Sequence, residues 1–446
     1  AVAGIAGRRG WALQRPGART LMAALVTAGL VGVEAASLHD YFAGRVREDD
    51  YISLAATMRA YWHEADTVLL HTDQPWPVFA YHWGGPFEGI TYTQPVDEAG
   101  AAARLDSISD RHNGVWLVLN EDAQRVDPDR VVERLLAGRA AAQREWRFGS
   151  KRLVLFTLAA GRAATIMELS PTWAPSTPPA RLVSSEVELV GWEQALRRYR
   201  PGDVAHLFAT VDLTPGCVSA SGCAPVLTLN LGNPAAPLAS ATTVAGPSGA
   251  GQRQRLQFDV LIPPEAPAGR SPWTLTQGQQ HVTTGAAAVL ARPASAATRA
   301  SEIAVPLETT FGEPPLLKLL GYDLRSHVAP GESAHLTLYW QGLRTIPLPF
   351  KVFTHIIDAD ERMWGQKDDV PVSGTRPTTG WMPGEIIVDG YEIAVSPDTP
   401  AGRYIVEIGL YDAGTGMRLG PVRDADGRQL NGERVLLGEI EVRVAD

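Results

Sequence analysis

An apolar run near the start of the chain constrains its architecture more than any other segment. Residues 20–33 read TLMAALVTAGLVGV, and four arginines precede them: Arg8, Arg9, Arg15 and Arg19. The rest of the 446 residues contains no comparable run. Cationic residues before a spanning helix remain in the cytoplasm. The pattern therefore predicts one transmembrane helix, with everything after it extracytoplasmic.

The length of this run leaves a second interpretation open. A membrane-spanning helix needs about 20 apolar residues, whereas this run is shorter and is followed by Glu34. A cleaved secretory signal has a cationic start, a short apolar core and a small-residue cleavage site, and residues 33–35 (VEA) match such a site. We expect a retained span, because residues 37–42 (SLHDYF) continue with aromatic side chains suited to a membrane interface.

Composition limits the classes of function. The formal net charge is −9, and no basic run occurs beyond the arginines before the apolar segment, which argues against nucleic-acid binding. A chain of this length is expected to form about three domains. Glycine is plentiful (43), and 27 of the 33 prolines lie after residue 170, which favours turn-rich β structure there. Neither a Gly-rich phosphate loop nor a Gly-x-Ser-x-Gly motif is present, so no cofactor is expected.

Residues 48–170 alternate between helical and strand patterns. A helical repeat of apolar residues follows Asp50, and the run 115–119 (VWLVL) is typical of a strand covered on both faces. Asp127 followed by Pro128 is typical of a helix start. The order helix, strand, helix, strand, helix, strand predicts a small α/β domain with some parallel pairing.

The second half of the chain contains an internal repeat. The segment beginning at Glu188 (ELVGWEQALRRYRPGDVAHLFATVDL) aligns, with one gap, to the segment beginning at Lys318 (KLLGYDLRSHVAPGESAHLTLYWQGL). A second pair of blocks, 262–270 (IPPEAPAGR) and 395–403 (VSPDTPAGR), follows in the same order. Each unit alternates strand patterns with Gly/Pro turns, which predicts two immunoglobulin-like antiparallel β-sandwiches.

These patterns together predict a multidomain chain of four parts. Residues 1–47 would form a cytoplasmic loop and the transmembrane helix, and residues 48–170 a small extracytoplasmic α/β domain. Residues 182–292 and 308–446 would form the first and second β-sandwich.

The two cysteines are placed for a disulfide. Cys217 and Cys223 lie six positions apart in PGCVSASGCAP, and in an extracytoplasmic domain this spacing favours a bond that closes a small loop. Two free thiols are the alternative. No metal site is expected, because the matched His206 and His335 of the repeat have no third ligand nearby.

One aromatic residue is a candidate for carbohydrate contact. The connection 374–385 (GTRPTTGWMPGE) in the second sandwich carries Trp381. An exposed aromatic ring on a sandwich loop can stack on the apolar face of a sugar. The alternative is that the ring packs beneath its own loop. Residues 127–129 (DPD) resemble the two-aspartate metal motif of nucleotide-sugar transferases, but their position favours a helix start.

In the organisation described above, the chain resembles the C-terminal part of bacterial polyprenyl-phosphate-dependent glycosyltransferases, the protein-mannosyltransferase-like group of integral membrane enzymes. The resemblance lies in a last span followed by an α/β region with DTVLL, VFAY and VWLVL. The sandwich motifs LLGYDL, LTLYWQ, VFTHIIDAD, WMPGE and PAGRYIVEIGLYD are similar to a module often appended to such enzymes in Chloroflexi-like bacteria.

The resemblance implies transfer of a sugar from a lipid-phosphate donor outside the cytoplasm. In that family the acidic catalytic residue lies on a loop of the N-terminal, multi-span half, which has no counterpart here, so no catalytic residue is carried over. We expect an extracytoplasmic region that is inactive alone. Its partners would be the membrane and, through the catalytic half, polyprenyl-phosphate sugar and a glycan or protein acceptor. The alternative is a secreted or membrane-anchored tandem β-sandwich protein for glycan binding or adhesion.

Overall fold

The computed structural model describes residues 50–71, 77–90, 96–119, 123, 127–178, 180–220, 222–246, 253–292 and 303–443. The predicted span at residues 20–33 lies outside the described residues. Within the ranges just given, no helix has both the length and the apolar character needed to cross a bilayer.

The first domain is a mixed β-sheet with helices on both faces. The strand order is β2-β1-β3-β5-β4; β1 runs parallel to β2 and β3, whereas β5 runs antiparallel to β3 and β4. The parallel pairing expected from the sequence is therefore confirmed. The elements are α1 (Tyr51–Tyr61), β1 (Asp66–His71), α2 (Pro77–Trp83), β2 (Glu88–Ile90), α3 (Glu98–Ser109), β3 (Gly114–Leu119), α4 (Val131–Arg139), β4 (Ala142–Phe148), β5 (Lys151–Thr157) and α5 (Ala160–Ala164).

Alternate residues of the central strands pack on opposite faces of this sheet. Leu69 and Leu117 pack with residues of α3 and α4, whereas Leu70 and Trp116 pack on the other side with residues of α1. Every residue of β1 and β3 is buried, as the unbroken apolar runs predict. Asp50 accepts a hydrogen bond from the Ser53 amide at 2.9 Å and so caps α1.

The second domain is a β-sandwich. A three-stranded sheet in the order β11-β8-β6 packs on a five-stranded sheet in the order β10-β9-β12-β13-β7. The pairs are antiparallel except for β7, which runs parallel to β13. The elements are β6 (Val187–Gln194), β7 (Arg198–Tyr199), β8 (Val204–Leu213), α6 (Pro215–Ser219), β9 (Val226–Asn233), β10 (Ala236–Val244), β11 (Arg253–Leu261), β12 (Gly269–Gln277) and β13 (Gln280–Val289).

The third domain is a second sandwich. Its two sheets have the orders β20-β17-β15-β14-β22 and β16-β23-β21-β18-β19. The predicted start at residue 308 falls inside β14, so this domain begins earlier than expected. The strands are β14 (Val305–Phe311), β15 (Leu317–Leu324), β16 (His327–Val328), β17 (Ser333–Gly342), β18 (Phe350–Ile357), β19 (Met363–Asp369), β20 (Ile386–Ala394), β21 (Gly402–Asp412), β22 (Val422–Arg423) and β23 (Val435–Val442), with short helical turns at Pro371–Gly374, Thr378–Gly380 and Asn431–Glu433.

The second sandwich repeats the topology of the first and adds β14 and β22 to one sheet; the repeated part includes an irregularity in the equivalent strands β6 and β15. Strands β6, β8 and β11 pair as β15, β17 and β20 do, and the other sheet repeats in the same way. The register shifts between Leu189 and Gly191 in the first sandwich, and between Leu319 and Gly321 in the second. At Gly321, φ is +154°, and a Cβ would lie 2.3 Å from the Val305 carbonyl oxygen, so glycine is required there.

A buried arginine joins the α/β domain to the first sandwich. The guanidinium of Arg255, on β11, donates to both carboxylate oxygens of Glu193 at 2.8 and 2.9 Å and to Thr57 Oγ1 of α1 at 2.9 Å. It lies 3.6 Å from the centroid of the Phe208 ring. Tyr61 of α1 donates its hydroxyl to the Arg255 carbonyl oxygen at 3.1 Å. The side chain is only 1% exposed, so each nitrogen depends on these partners.

The connection 374–385 joins the two sandwiches. Thr379 donates its hydroxyl to the Gly202 carbonyl oxygen at 2.6 Å. At Gly380, a Cβ would lie 2.5 Å from the Pro201 carbonyl oxygen, so the two backbones approach more closely than a side chain allows. Arg292, at the end of the first sandwich, donates to the Gly380 carbonyl oxygen at 2.8 Å. This segment is therefore an interdomain contact.

The contact between the α/β domain and the first sandwich yields a prediction. We expect Arg255→Met to lower the free energy of unfolding by about 3 kcal/mol, the lower end for breaking a buried ion pair, because Glu193 retains some contact with water. Arg253→Met is the matched control on the same strand, and its exposed pair with Asp212 should be worth less than about 1 kcal/mol. Denaturant unfolding of both variants measures the difference, and equal losses would contradict the assignment.

Candidate functional site

A cleft lies at the carboxyl ends of the parallel strands of the α/β domain, the edge at which open α/β sheets commonly bind ligands. His71 is the last residue of β1 and Leu119 the last of β3. The cleft is small and partly open to solvent, with a cavity volume of about 20 Å³. Its described lining residues are His71, Leu119, Ala123, Asp127, Arg130, Glu133, Arg152 and Gly414.

A buried histidine–aspartate pair forms the floor of the cleft. His71 Nε2 lies 3.0 Å from Asp127 Oδ2, and both residues are 2% exposed. The same carboxylate accepts hydrogen bonds from the amides of Val131 at 2.8 Å and Val132 at 3.0 Å, in the first turn of α4. Burial alone would raise the pKa of Asp127, but these hydrogen bonds outweigh it and hold the pKa below its usual value.

Asp127 thus performs the capping role expected from the sequence, with a different local geometry. The helix begins at Val131 rather than directly after Asp127, because Arg130 adopts a left-handed conformation with φ of +52°. Asp129 is exposed beside it. The aspartates of the DPD motif therefore do not converge on one site, and no group of three metal-type ligands occurs among the described residues.

A network of arginines and carboxylates forms one wall. Arg152 donates to both oxygens of Glu133, at 3.0 and 2.8 Å, and to both oxygens of Glu145, at 3.1 and 2.9 Å. Arg130 adds hydrogen bonds to Glu133. Burial would raise the pKa of Glu133, but Arg152 and Arg130 more than compensate and lower it. The hydrogen bond from Arg152 likewise lowers the pKa of Glu145.

The second sandwich completes the cleft. Gly414 follows β21, and its amide donates to Asp412 Oδ1 at 3.0 Å. A Cβ at Gly414 would lie 3.7 Å from a guanidinium nitrogen of Arg147. The turn therefore contacts the edge strand β4 of the α/β domain, and the cleft lies between two domains.

The chemistry available in this cleft is limited. The carboxylates that line it are engaged by arginine, histidine or backbone amides, and the described lining residues include no serine, cysteine or lysine. His71 faces an acceptor carboxylate but no nucleophile among these residues. The hydrogen bonds of His71, Asp127 and Arg152 described above join β1, α4, β4 and β5 of the α/β domain to one another, and the arrangement therefore holds this end of the domain together.

The structure overturns the predicted carbohydrate contact at Trp381. The side chain is 0% exposed and belongs to the core of the second sandwich, where its ring packs near that of Trp340. Its indole N–H donates to the Arg376 carbonyl oxygen at 3.0 Å. A ring buried on both faces cannot stack on a sugar. The alternative, that Trp381 packs beneath its own loop, describes the structure.

The remaining candidates have structural roles. Cys217 and Cys223 form a disulfide with a Cα–Cα distance of 5.4 Å. His206 Nδ1 lies 2.7 Å from Asp259 Oδ1 on the neighbouring strand. The equivalent His335 lies on β17 of the other sandwich, so the two histidines are not brought together.

His71 and Arg152 make the central polar contacts of the cleft, and neither was predicted as a site residue from the sequence. His71 ends the strand run DTVLLH, and Arg152 lies within the otherwise apolar strand pattern KRLVLF. A histidine or arginine in a buried strand requires a polar partner. Their position in apolar strand patterns could therefore have marked both residues as members of a polar site.

Comparison with known proteins identifies no family. No protein-family model matches the chain, and no curated protein does. Among solved structures, the CARDB domain of the PF1109 protein from Pyrococcus furiosus, in complex with di-metal ions, is 16% identical, with 31% of this chain and 96% of that one covered and a TM-score of 0.18. A DUF4784 family protein from Bacteroides caccae is 12% identical over 53% and 71% of the two chains, with a TM-score of 0.15. TM-scores this low support no conclusion about fold or function.

The Asp127 cap yields a pH-dependent prediction. At pH 7 we expect Asp127→Ala to lower the free energy of unfolding by about 2 kcal/mol, the upper end for a lost cap, because His71 also loses its partner. A lowered folded-state pKa gives stability that is present above the unfolded value of about 3.9 and is lost as the pH falls through the folded value. The difference in unfolding free energy between wild type and Asp127→Ala should therefore become smaller as the pH falls below about 3.9. Urea unfolding at pH 7 and below about pH 3.9 measures the effect, and the matched control Asp129→Ala should change the unfolding free energy little under both conditions.

Proposed function

We propose that this chain is the extracytoplasmic C-terminal region of a membrane glycosyltransferase that uses a lipid-phosphate-linked sugar donor, with catalysis residing outside the chain. Its two sandwiches would be immunoglobulin-like modules. The Tyr404 hydroxyl donates to the Pro400 carbonyl oxygen at 2.8 Å near the start of β21, which resembles the tyrosine corner of that fold.

The observation that carries the proposal is the way the domains are joined. Arg255 links the α/β domain to the first sandwich, Thr379 links the two sandwiches, and Gly414 brings the second sandwich against the α/β domain. Three domains joined by such contacts keep fixed positions relative to one another, and a rigid region of this kind would support a neighbouring catalytic part.

The disulfide supports an extracytoplasmic location. Bonds of this kind persist in oxidising compartments and are rare in the cytosol. Cys217 and Cys223 are the only cysteines of the chain and are bonded to each other. The alternative function, a secreted or anchored glycan-binding protein, loses its named contact residue because Trp381 is buried.

Location can be tested with an introduced cysteine. Met417 is 71% exposed, so Met417→Cys should react with a membrane-impermeant maleimide on intact cells, because the proposal places residue 417 outside the cytoplasm. The native cysteines serve as an internal control, since their disulfide should keep them unlabelled until reduction. Labelling only after cell lysis would rule out the proposed location.

The accessory role can be tested through sugar transfer. Membranes containing the intact protein should transfer sugar from a polyprenyl-phosphate donor, and Arg255→Met should reduce this transfer because it loosens the α/β domain from the first sandwich. Arg253→Met should retain wild-type transfer. The proposal is wrong if wild-type membranes show no transfer above those lacking the protein. The accessory role alone is wrong if Arg255→Met transfers as well as wild type.

A further inference from the structure

The α/β domain exposes an apolar patch on its first two helices. We define the aromatic patch as Ile52, Val78, Tyr81 and Phe87, whose exposed fractions are 41%, 54%, 83% and 39%. Val78 and Tyr81 lie three residues apart on α2 and so share one face of that helix. Exposed side chains of this size normally occur singly, and several together mark an interaction surface.

Ring contacts join Phe87, in the loop after α2, and Tyr51, at the start of α1, to one buried ring of α2. The rings of Phe79 and Phe87 are 5.7 Å apart, and that of Tyr51, beside Ile52, is 6.3 Å from Phe79. Phe79 itself is fully buried.

An arginine fixes the two helices that carry the patch. Arg59 lies two helical turns after Ile52 on the same face of α1 and donates to the Trp83 carbonyl oxygen at 2.9 Å, at the end of α2. The exposed residues therefore stand on helices joined both by ring packing and by this hydrogen bond.

The patch lies beside the point where the N-terminal segment enters the domain. Ile52 is in the first turn of α1, which begins at Tyr51. Sixteen residues, 34–49, separate this helix cap from the apolar run 20–33, and even when fully extended they span at most about 55 Å. If the run spans a membrane, α1 starts within that distance of the outer leaflet.

The chemistry of the patch fits the polar–apolar boundary of a bilayer. Tyrosine and tryptophan are enriched at membrane interfaces because an apolar ring carries a polar group. The segment 77–87 (PVFAYHWGGPF) contains an exposed tyrosine and no carboxylate. The carboxylate that follows directly, Glu88, pairs with Arg104 and Arg111, which reduces the repulsion between this surface and anionic lipid.

We propose that the aromatic patch rests on the outer leaflet of the membrane and orients the α/β domain relative to it. This inference depends on the membrane location given under the proposed function. The occupant is the lipid interface, and Tyr81, the most exposed member, inserts most deeply.

Fluorescence quenching tests the contact. The full chain carrying Tyr81→Cys, labelled with a nitrobenzoxadiazole dye, is reconstituted into phosphatidylethanolamine–phosphatidylglycerol vesicles with a lipid that bears a nitroxide near its headgroup. Met417→Cys is the matched control, because residue 417 is equally exposed to labelling but lies in the second sandwich. We expect the fluorescence at residue 81 to fall at least twice as far as that at residue 417. Val78→Cys, on the same helix face, should respond as residue 81 does.

The outcomes separate this inference from the proposed function. If the chain stays with the vesicles after carbonate extraction but residues 78 and 81 are quenched no more than residue 417, the patch does not contact lipid, and the membrane location stands. If carbonate releases the chain and no label is quenched, the anchored location and the inference both fail. Quenching of residue 78 without residue 81 would overturn the placement of Tyr81 as the deepest member.

Discussion

The arrangement of the domains depends on one buried cation. Removing a guanidinium from water is costly unless each of its nitrogens finds a partner, and Arg255 obtains its partners from β6 of its own sandwich and α1 of the α/β domain. The stacked Phe208 ring excludes water from the same place and belongs to the core that the α/β domain forms beneath its sheet. The domains therefore share both a charge and a hydrophobic core. A small rotation between them would break the hydrogen bond from Arg255 to Thr57 and leave one buried guanidinium nitrogen without that partner, while the pair with Glu193 stayed in place.

The two sandwiches share a fold, and one connection of the second sandwich has an additional role. The strands and the bulge at Gly191 and Gly321 are retained in both copies, because they determine the sheet register. The connection between β19 and β20, in contrast, is longer than that between β10 and β11. Its residues Thr379 and Gly380 lie on the first sandwich. The sequence repeat thus reflects the shared fold, and the extra length of the connection between β19 and β20 lies where the second sandwich contacts the first.

Local pattern predicted the elements but not the contacts between distant residues. The runs that form β1 and β3, the cap at Asp50 and the repeated sandwich units all follow from periodicity and turn chemistry over short windows, and the structure contains each of them. Trp381 is buried because its loop folds back over the core of the second sandwich, and a window of Gly and Pro around an aromatic residue does not reveal this. His71 and Asp127 pair across 56 positions, so the strand pattern alone could not indicate their contact.

The loop that joins the sandwiches begins with backbone strain that a buried carboxylate offsets. Val372 has φ of +58°, a left-handed conformation that is costly for a β-branched residue. Its amide donates to Asp389 Oδ1 at 2.7 Å, while Tyr391 donates to Oδ2 at 2.8 Å. Burial raises the pKa of Asp389 to about 6, so its charge costs stability at neutral pH, and this cost diminishes as the pH falls from about 6 through the unfolded value of about 3.9. We attribute the presence of a carboxylate at position 389 of the core to the loop conformation that it stabilises, because that conformation places Thr379 against the first sandwich.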